Sequence, residues 1–177
     1  MRACILVAQG FQDEEFVYPY YRMLEEGWNV EVMGPECTGK YGIPSRSTHV
    51  YQQTDVYDLV IIPGGYECPD RLRMNETVLR FVKSMFMEKK LVAAICHGPW
   101  VCISAGIVHG MLVTGYPSIK DDLTNAGGHY TNHPVVIDKN LITAQHYKHN
   151  GEFMASVIEW VNNSMQTSDA KRAFNRS

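Results

Sequence analysis

Leu91-Val92-Ala93-Ala94-Ile95-Cys96-His97-Gly98-Pro99-Trp100 is the stretch on which the fold turns. The five apolar residues from Leu91 to Ile95 read as a strand covered on both faces, since a half-exposed strand alternates apolar with polar. The run stops at Cys96, and His97-Gly98-Pro99 turns the chain sharply into a helix. A side chain at such an elbow stands in a strained position above the sheet, and the helix start behind it stabilises a thiolate and lowers the thiol pKa. Cys96 is therefore the candidate nucleophile. A small buried hydrophobe at a strand end is the alternative, and the adjoining His97-Gly98-Pro99 tips the balance against it.

Working outward, the same alternation recurs on both sides. Residues 3–8 read as a first strand, followed after Gly10 by an amphipathic helix from about Glu14 to Glu26 that Gly27 closes. Residues 29–33 form the next strand, and 34–54 are turn-rich and polar. Asp58 to Ile62, ending in Pro63-Gly64-Gly65, gives another doubly covered strand. A helix at about 75–89 precedes the Cys96 strand. After the elbow come a helix to Ala105, a strand near 112–114 and a helix over 119–125 stopped by Gly127-Gly128. Val135 to Asp138 and Asn140 to Ala144 alternate around Lys139 as a hairpin does. A last helix runs from Gly151 to about Val161. This order predicts an α/β fold, a mostly parallel sheet with helices on both faces and ligands at the carboxyl ends of the strands. One domain should span 1–161, leaving a polar tail, 162–177, that frays or clasps a second subunit.

A chain of 177 residues, 45% of them hydrophobic, suffices for one substantial core. Its net charge is −3, with the basic residues scattered, which argues against nucleic acid and anionic membranes as partners. The five cysteines make an odd set without a CxxC pair, as expected for a reduced compartment. The N-terminal apolar run is too short for a signal peptide, and no segment is apolar enough to span a bilayer. The expectation is a soluble, cytoplasmic protein. His129, His133, His146 and His149 lie close together in sequence, but their spacing fits no helix-borne or knuckle zinc pattern, so no metal is expected.

In such a sheet the ends of the first strand, the Gly64-Gly65 strand and the Cys96 strand lie side by side. Backbone N–H groups around Gly65 and His97 could then form an oxyanion hole. A side chain from Gln12 to Glu15 would overhang the thiol. An acid there either bonds the thiolate and moves protons or merely favours the helix dipole, and the spacing alone leaves both open.

Up to about Trp160 the chain resembles the ThiJ/PfpI (DJ-one) superfamily, specifically its PfpI-like intracellular protease and glyoxalase III branch. The resemblance is carried by Gly10-Phe11-x-Asp13-x-Glu15 with Tyr18-Pro19, Thr38-Gly39-Lys40-x-Gly42, Pro63-Gly64-Gly65, Ala94-Ile95-Cys96-His97-Gly98-Pro99, Ser104-Ala105-Gly106 and Tyr116-Pro117-x-Ile119-Lys120-Asp121-Asp122. It implies a flavodoxin-like three-layer sandwich, a nucleophile at Cys96, a carboxyl partner at Glu15, and assistance from His97. It also implies a homo-oligomer, a dimer or a ring of dimers, in which Asp70 reaches His97 from a neighbouring subunit. No cofactor is implied. The implied activity is attack on a reactive carbonyl, as in a glutathione-independent glyoxalase or deglycase that turns methylglyoxal into lactate. Peptide or amide hydrolysis through the same cysteine is the second reading, and a non-enzymatic oxidative-stress sensor or chaperone the third.

The departures are specific. Relatives in this branch usually carry a second acid after the phenylalanine; Gln12 stands there and cannot exchange a proton. Asp70 is one methylene shorter than the usual glutamate. Ala144-Gln145-His146 replaces a usual Ser-Arg, bringing an imidazole to a pocket that Gln12 and Tyr116 are also expected to line.

Overall fold

The structure, a computed structural model, describes residues 1–54 and 56–174, the last ten of these as backbone only. Its elements in chain order are β1 (Arg2–Leu6), α1 (Asp13–Glu25), β2 (Asn29–Met33), β3 (Leu59–Ile62), α2 (Cys68–Arg73), α3 (Glu76–Met87), β4 (Leu91–Ile95), α4 (Pro99–Ser104), β5 (Leu112–Val113), α5 (Lys120–Asn125), β6 (His129–Tyr130), β7 (Val135–Asp138), β8 (Leu141–Ala144) and α6 (Asn150–Phe174). Six strands form one sheet in the order β2-β1-β3-β4-β8-β7, parallel except for the β7–β8 pair. The remaining two, β5 and β6, pair with each other in parallel.

Every residue of β3 and β4 is buried, as their unbroken apolar runs require. The chain leaves β1 toward β2 on one side and returns through β3, β4 and β8 on the other. Right-handed crossovers then place the helices on opposite faces. The contacts agree: α1 packs on α6, while α2, α3 and α4 pack on one another. Aromatic and methionine side chains fill the two layers, Phe16 and Met23 from α1, Phe81 and Met85 from α3, Phe153 and Met154 from α6. The strand order reverses between β1 and β3, and it is at such a switch point that the carboxyl ends of neighbouring strands leave a crevice.

The expected strands and helices of the first 161 residues are present, with bounds shifted by a few residues at most. The β7–β8 hairpin turns at Lys139, whose φ is 55°. Asn75 caps α3 through its side chain, which accepts from the N–H groups of Thr77 and Val78. Three features depart from the sequence reading. Both α2 and β6 were not expected; each is too short to show a period. The segment before α5 tightens to a 3-10 turn at Pro117–Ile119. Finally, α6 continues past Val161 to Phe174 through a stretch without apolar periodicity, so the expected helix end is corrected. Residues 175–177 of the expected tail lie outside the described residues.

Gly98 shows how closely the elbow packs on the sheet. A Cβ placed there would lie 2.3 Å from the carbonyl oxygen of Ile62 and 2.9 Å from that of Ile95. Gly98→Ala is expected to cost roughly 3 kcal/mol through backbone displacement. Gly151 in α6 has open space around its Cα, so Gly151→Ala should instead stabilise by up to about 1 kcal/mol. Urea unfolding of both variants checks the pair; equal effects would refute the packing argument.

Candidate active site

Cys96 follows β4 directly and has φ 62°, a left-handed conformation that side-chain-bearing residues adopt only under constraint. Three backbone hydrogen bonds impose it. Cys96 N–H donates to Ala144 O at 2.9 Å, Tyr116 N–H donates to Cys96 O at 2.8 Å, and Gly98 N–H donates to Ile95 O at 2.8 Å. The expected elbow is therefore present, and Cys96, 7% exposed, lines a cavity of about 220 Å³.

Glu15, in the first turn of α1, is fully buried beneath the same sulfur. Its Oε2 accepts from the Gly64 N–H at 2.7 Å, tying α1 to the end of β3. Its Oε1 is buried without a hydrogen bond of ordinary geometry, although the Cys96 thiol and the Tyr147 N–H act on the carboxyl more loosely. Burial pushes the Glu15 pKa up to about 8, against the Gly64 hydrogen bond and helped by the Glu14 charge. The carboxyl thus keeps its proton at neutral pH, close to the sulfur.

The thiol does not show the depressed pKa expected from the sequence. Burial first, then the Glu15 charge, push the Cys96 thiol up, while the backbone N–H groups of His97 and Gly65 pull it down. The helix behind it, α4, has only six residues, and the sulfur sits below the surface rather than on it. The two groups act on each other and titrate as a pair. With the proton on Glu15, the charge that raises the thiol is gone and the two N–H groups remain aimed at sulfur. The backbone N–H groups of Gly65 and His97, expected as oxyanion donors, lie close enough to the sulfur to lower its pKa.

His97 Nδ1 lies 3.2 Å from Cys96 Sγ, and its Nε2 lies 3.3 Å from Ser118 Oγ. Burial lowers its pKa, opposed by the charge of Asp70 of the same chain. Asp70 sits exposed on α2, and no hydrogen bond joins it to His97 among the described residues. His97 stacks on Tyr116, centroids 4.7 Å apart and planes at 25°, Tyr116 stacks on His146 at 5.8 Å, and His146 leans on Tyr147 at 4.0 Å. This ladder walls the cavity.

The cavity thus gathers Gln12, Gly65, Cys96, His97, Tyr116 and His146 from five separate segments, with Glu15 below. Gln12 does not approach sulfur as an acid would; its Nε2 donates to Glu14 Oε2 at 2.6 Å. Sequence reasoning missed Lys40, Tyr41, Tyr66, Tyr147 and Ser118. Lys40 belongs to the noted Thr38-Gly39-Lys40-x-Gly42 motif, but a loop residue carries no periodicity to show where it points. Among the described residues no three His, Cys, Asp or Glu side chains converge as metal ligands, and no helix is long and apolar enough to cross a membrane.

A buried carboxyl with a raised pKa ties stability to pH. Its contribution is fully in place below about 4.5, where Glu15 is protonated folded or unfolded, and is lost as pH rises through about 8. Glu15→Gln, which keeps an acceptor for Gly64 without an ionisable proton, should match the wild type at pH 4 and exceed it by roughly 2–5 kcal/mol at pH 9. Parallel pH profiles for the two proteins would refute the assignment.

The chain is 41% identical over 150 residues to a Pyrococcus abyssi protein named as a deglycase, covering 82% of this chain and 90% of that protein. It is 37% identical over 166 residues to the deglycase PfpI of Pyrococcus furiosus, covering 91% and 98%. Among solved structures, a two-domain Anabaena variabilis protein with DJ-1/ThiJ/PfpI-like and ferritin-like domains superposes with a TM-score of 0.88 at 32% identity, over 92% of this chain and 50% of that one. The DJ-1/PfpI family model matches residues 1–160, and with relatives this similar along nearly their whole length the chain belongs to the DJ-1/PfpI family.

Proposed function

We propose that the protein is a cysteine-dependent enzyme acting on reactive carbonyls, with Cys96 as nucleophile and methylglyoxal converted to lactate. The observation that carries this reading is the burial of Glu15, a carboxyl held by the Gly64 N–H and kept protonated near neutrality, beside the Cys96 thiol. Sulfur attacks the aldehyde carbon and the proton moves to the resulting alkoxide, giving a hemithioacetal. Removal of the C1 hydrogen as a proton and its return at C2 gives a lactoyl thioester. Water then releases lactate and restores the thiol, so atoms and electrons balance without an external oxidant. Glu15, buried and poised near neutrality, is the group suited to exchange those protons. The deglycase names of the relatives support the same chemistry class.

Peptide hydrolysis needs more, because an amine leaves only when an oriented imidazole protonates it. Within one chain His97 has Ser118, not a carboxylate, at Nε2. We therefore assign the carbonyl reaction first and place the protein in the cytoplasm, where such metabolites and reduced thiols occur. Asp70 completes His97 in trans within a homo-oligomer, most simply a dimer or ring of dimers.

Cys96→Ala should abolish lactate formation from methylglyoxal, and Glu15→Gln should reduce it by about two to four orders of magnitude. An assay run beside a fluorogenic peptide and a peroxide oxidation series distinguishes the readings. Peptide turnover without lactate favours the peptidase, and neither turnover with facile Cys96 oxidation favours the sensor.

For the oligomer, mixing Cys96→Ala with Asp70→Ala subunits should restore part of the activity that each lacks alone, since some interfaces then hold an intact site. A fully active monomer by sedimentation, or a dead mixture despite measured subunit exchange, would overturn the trans assignment.

A further inference from the structure

Among the side chains lining the cavity above Cys96, Lys40 alone bears a permanent charge. The loop that carries it is built to hold position. Thr38 bridges Pro44, Gly39 N–H donates to Ile43 O at 2.8 Å, and Lys40 N–H donates to Phe11 O at 2.8 Å. The buried Asp13 carboxylate grips the same loop with both oxygens, accepting from Tyr41 N–H at 2.9 Å and Ile43 N–H at 3.0 Å. Gly39 is required there, because a Cβ would lie 2.6 Å from the Asp13 carboxylate.

The Lys40 ammonium stands 5.2 Å from the centroid of the Tyr41 ring, and Tyr147 also acts on it. It makes no ion pair among the described residues. Glu14 acts on it from beyond ion-pair range and is itself engaged by the Gln12 amide. A second donor enters the cavity from His146. Burial lowers the pKa of that ring, and its Nδ1 accepts from the Lys148 N–H at 3.2 Å, which places the N–H of the neutral ring on Nε2. The His97-Tyr116-His146-Tyr147 ladder thus leads from the thiol toward the Lys40 ammonium, carried on a braced loop, and an N–H donor, two groups that suit an anion.

We propose that this end of the cavity recognises a carboxylate or phosphate, so that the substrate class extends beyond methylglyoxal to short carbonyl compounds bearing an anionic group at the end away from the reacting carbon. The inference deepens the carbonyl reading of Cys96 and rests on it for the reacting end. A cavity of about 220 Å³ suits a compound of three to five carbons, given roughly 30 Å³ for each water displaced.

The test is calorimetric titration of the wild-type protein with three unreactive probes, lactate, phosphoglycolate and the neutral 1,2-propanediol. One anion should bind at least about tenfold tighter than the diol, and which one does so separates a carboxylate from a phosphate site. Lys40→Met should erase that preference, and Lys40→Arg should keep most of it. Anions and diol binding alike, or a preference that survives in Lys40→Met, would overturn the inference. None of the probes reacts, so the outcome is independent of turnover. A protein that prefers anions through Lys40 yet forms no lactate retains the anion site and refutes the proposed reaction instead.

Discussion

The left-handed backbone at Cys96 is the constraint on which the rest of the site depends. A non-glycine residue at φ 62° costs on the order of 1–3 kcal/mol, and only surroundings that leave the chain no alternative hold it there. Here those surroundings are the sheet itself. Ala144 at the end of β8 accepts from the cysteine N–H, and Tyr116 donates to its carbonyl. The pairing of Ile95 with Ala144 sets the height at which β4 stops. One residue of slip would turn the sulfur away from Glu15 and His97. Register thus reaches the chemistry through the backbone, before any side chain in the pocket takes part.

The second consequence is where the proton resides. A carboxyl on an exposed helix start would be ionised at neutral pH and would only complement the dipole. Glu15 occupies a first turn too, but that turn is sealed under β3 and β4, and the loss of solvent outweighs the hydrogen bond from Gly64. The acid therefore keeps its proton near a sulfur whose own pKa burial has raised. Neither group is activated alone. The proposed role of the thiol rests on a neutral partner and on the two backbone N–H groups, of His97 and Gly65, that pull its pKa down.

A third layer of organisation comes from the 38–44 loop. Asp13 and Glu15 leave α1 two residues apart and do different work, one gripping the loop backbone, the other facing sulfur. Both are buried carboxyls, and which N–H groups each meets decides its role. The tyrosines at 41, 66, 116 and 147 supply rigid, half-wet walls that close around a small ligand without fixing its chemistry.

The alternation of apolar runs with helical periods was enough to order the strands and helices, because a strand covered on both faces has no other way to appear in a sequence. The elbow was legible for a similar local reason: Cys96-His97-Gly98-Pro99 breaks a strand and starts a helix within four residues. Glu15 could be placed near the thiol but not given a charge state, since its pKa is set by the β3 and β4 backbone that buries it. For the same reason the thiol pKa expected from the helix start had the wrong sign; the local dipole was visible in the chain, while the stronger desolvation came from residues distant in sequence. Short α2 and β6 have too few residues to show a period. Lys40, Tyr66, Tyr147 and Ser118 meet the cavity only because separate loops converge at the strand ends. Local pattern determined the elements and the cysteine elbow, and tertiary burial decided protonation and the shape of the pocket, because desolvation and convergence depend on neighbours that linear order does not specify.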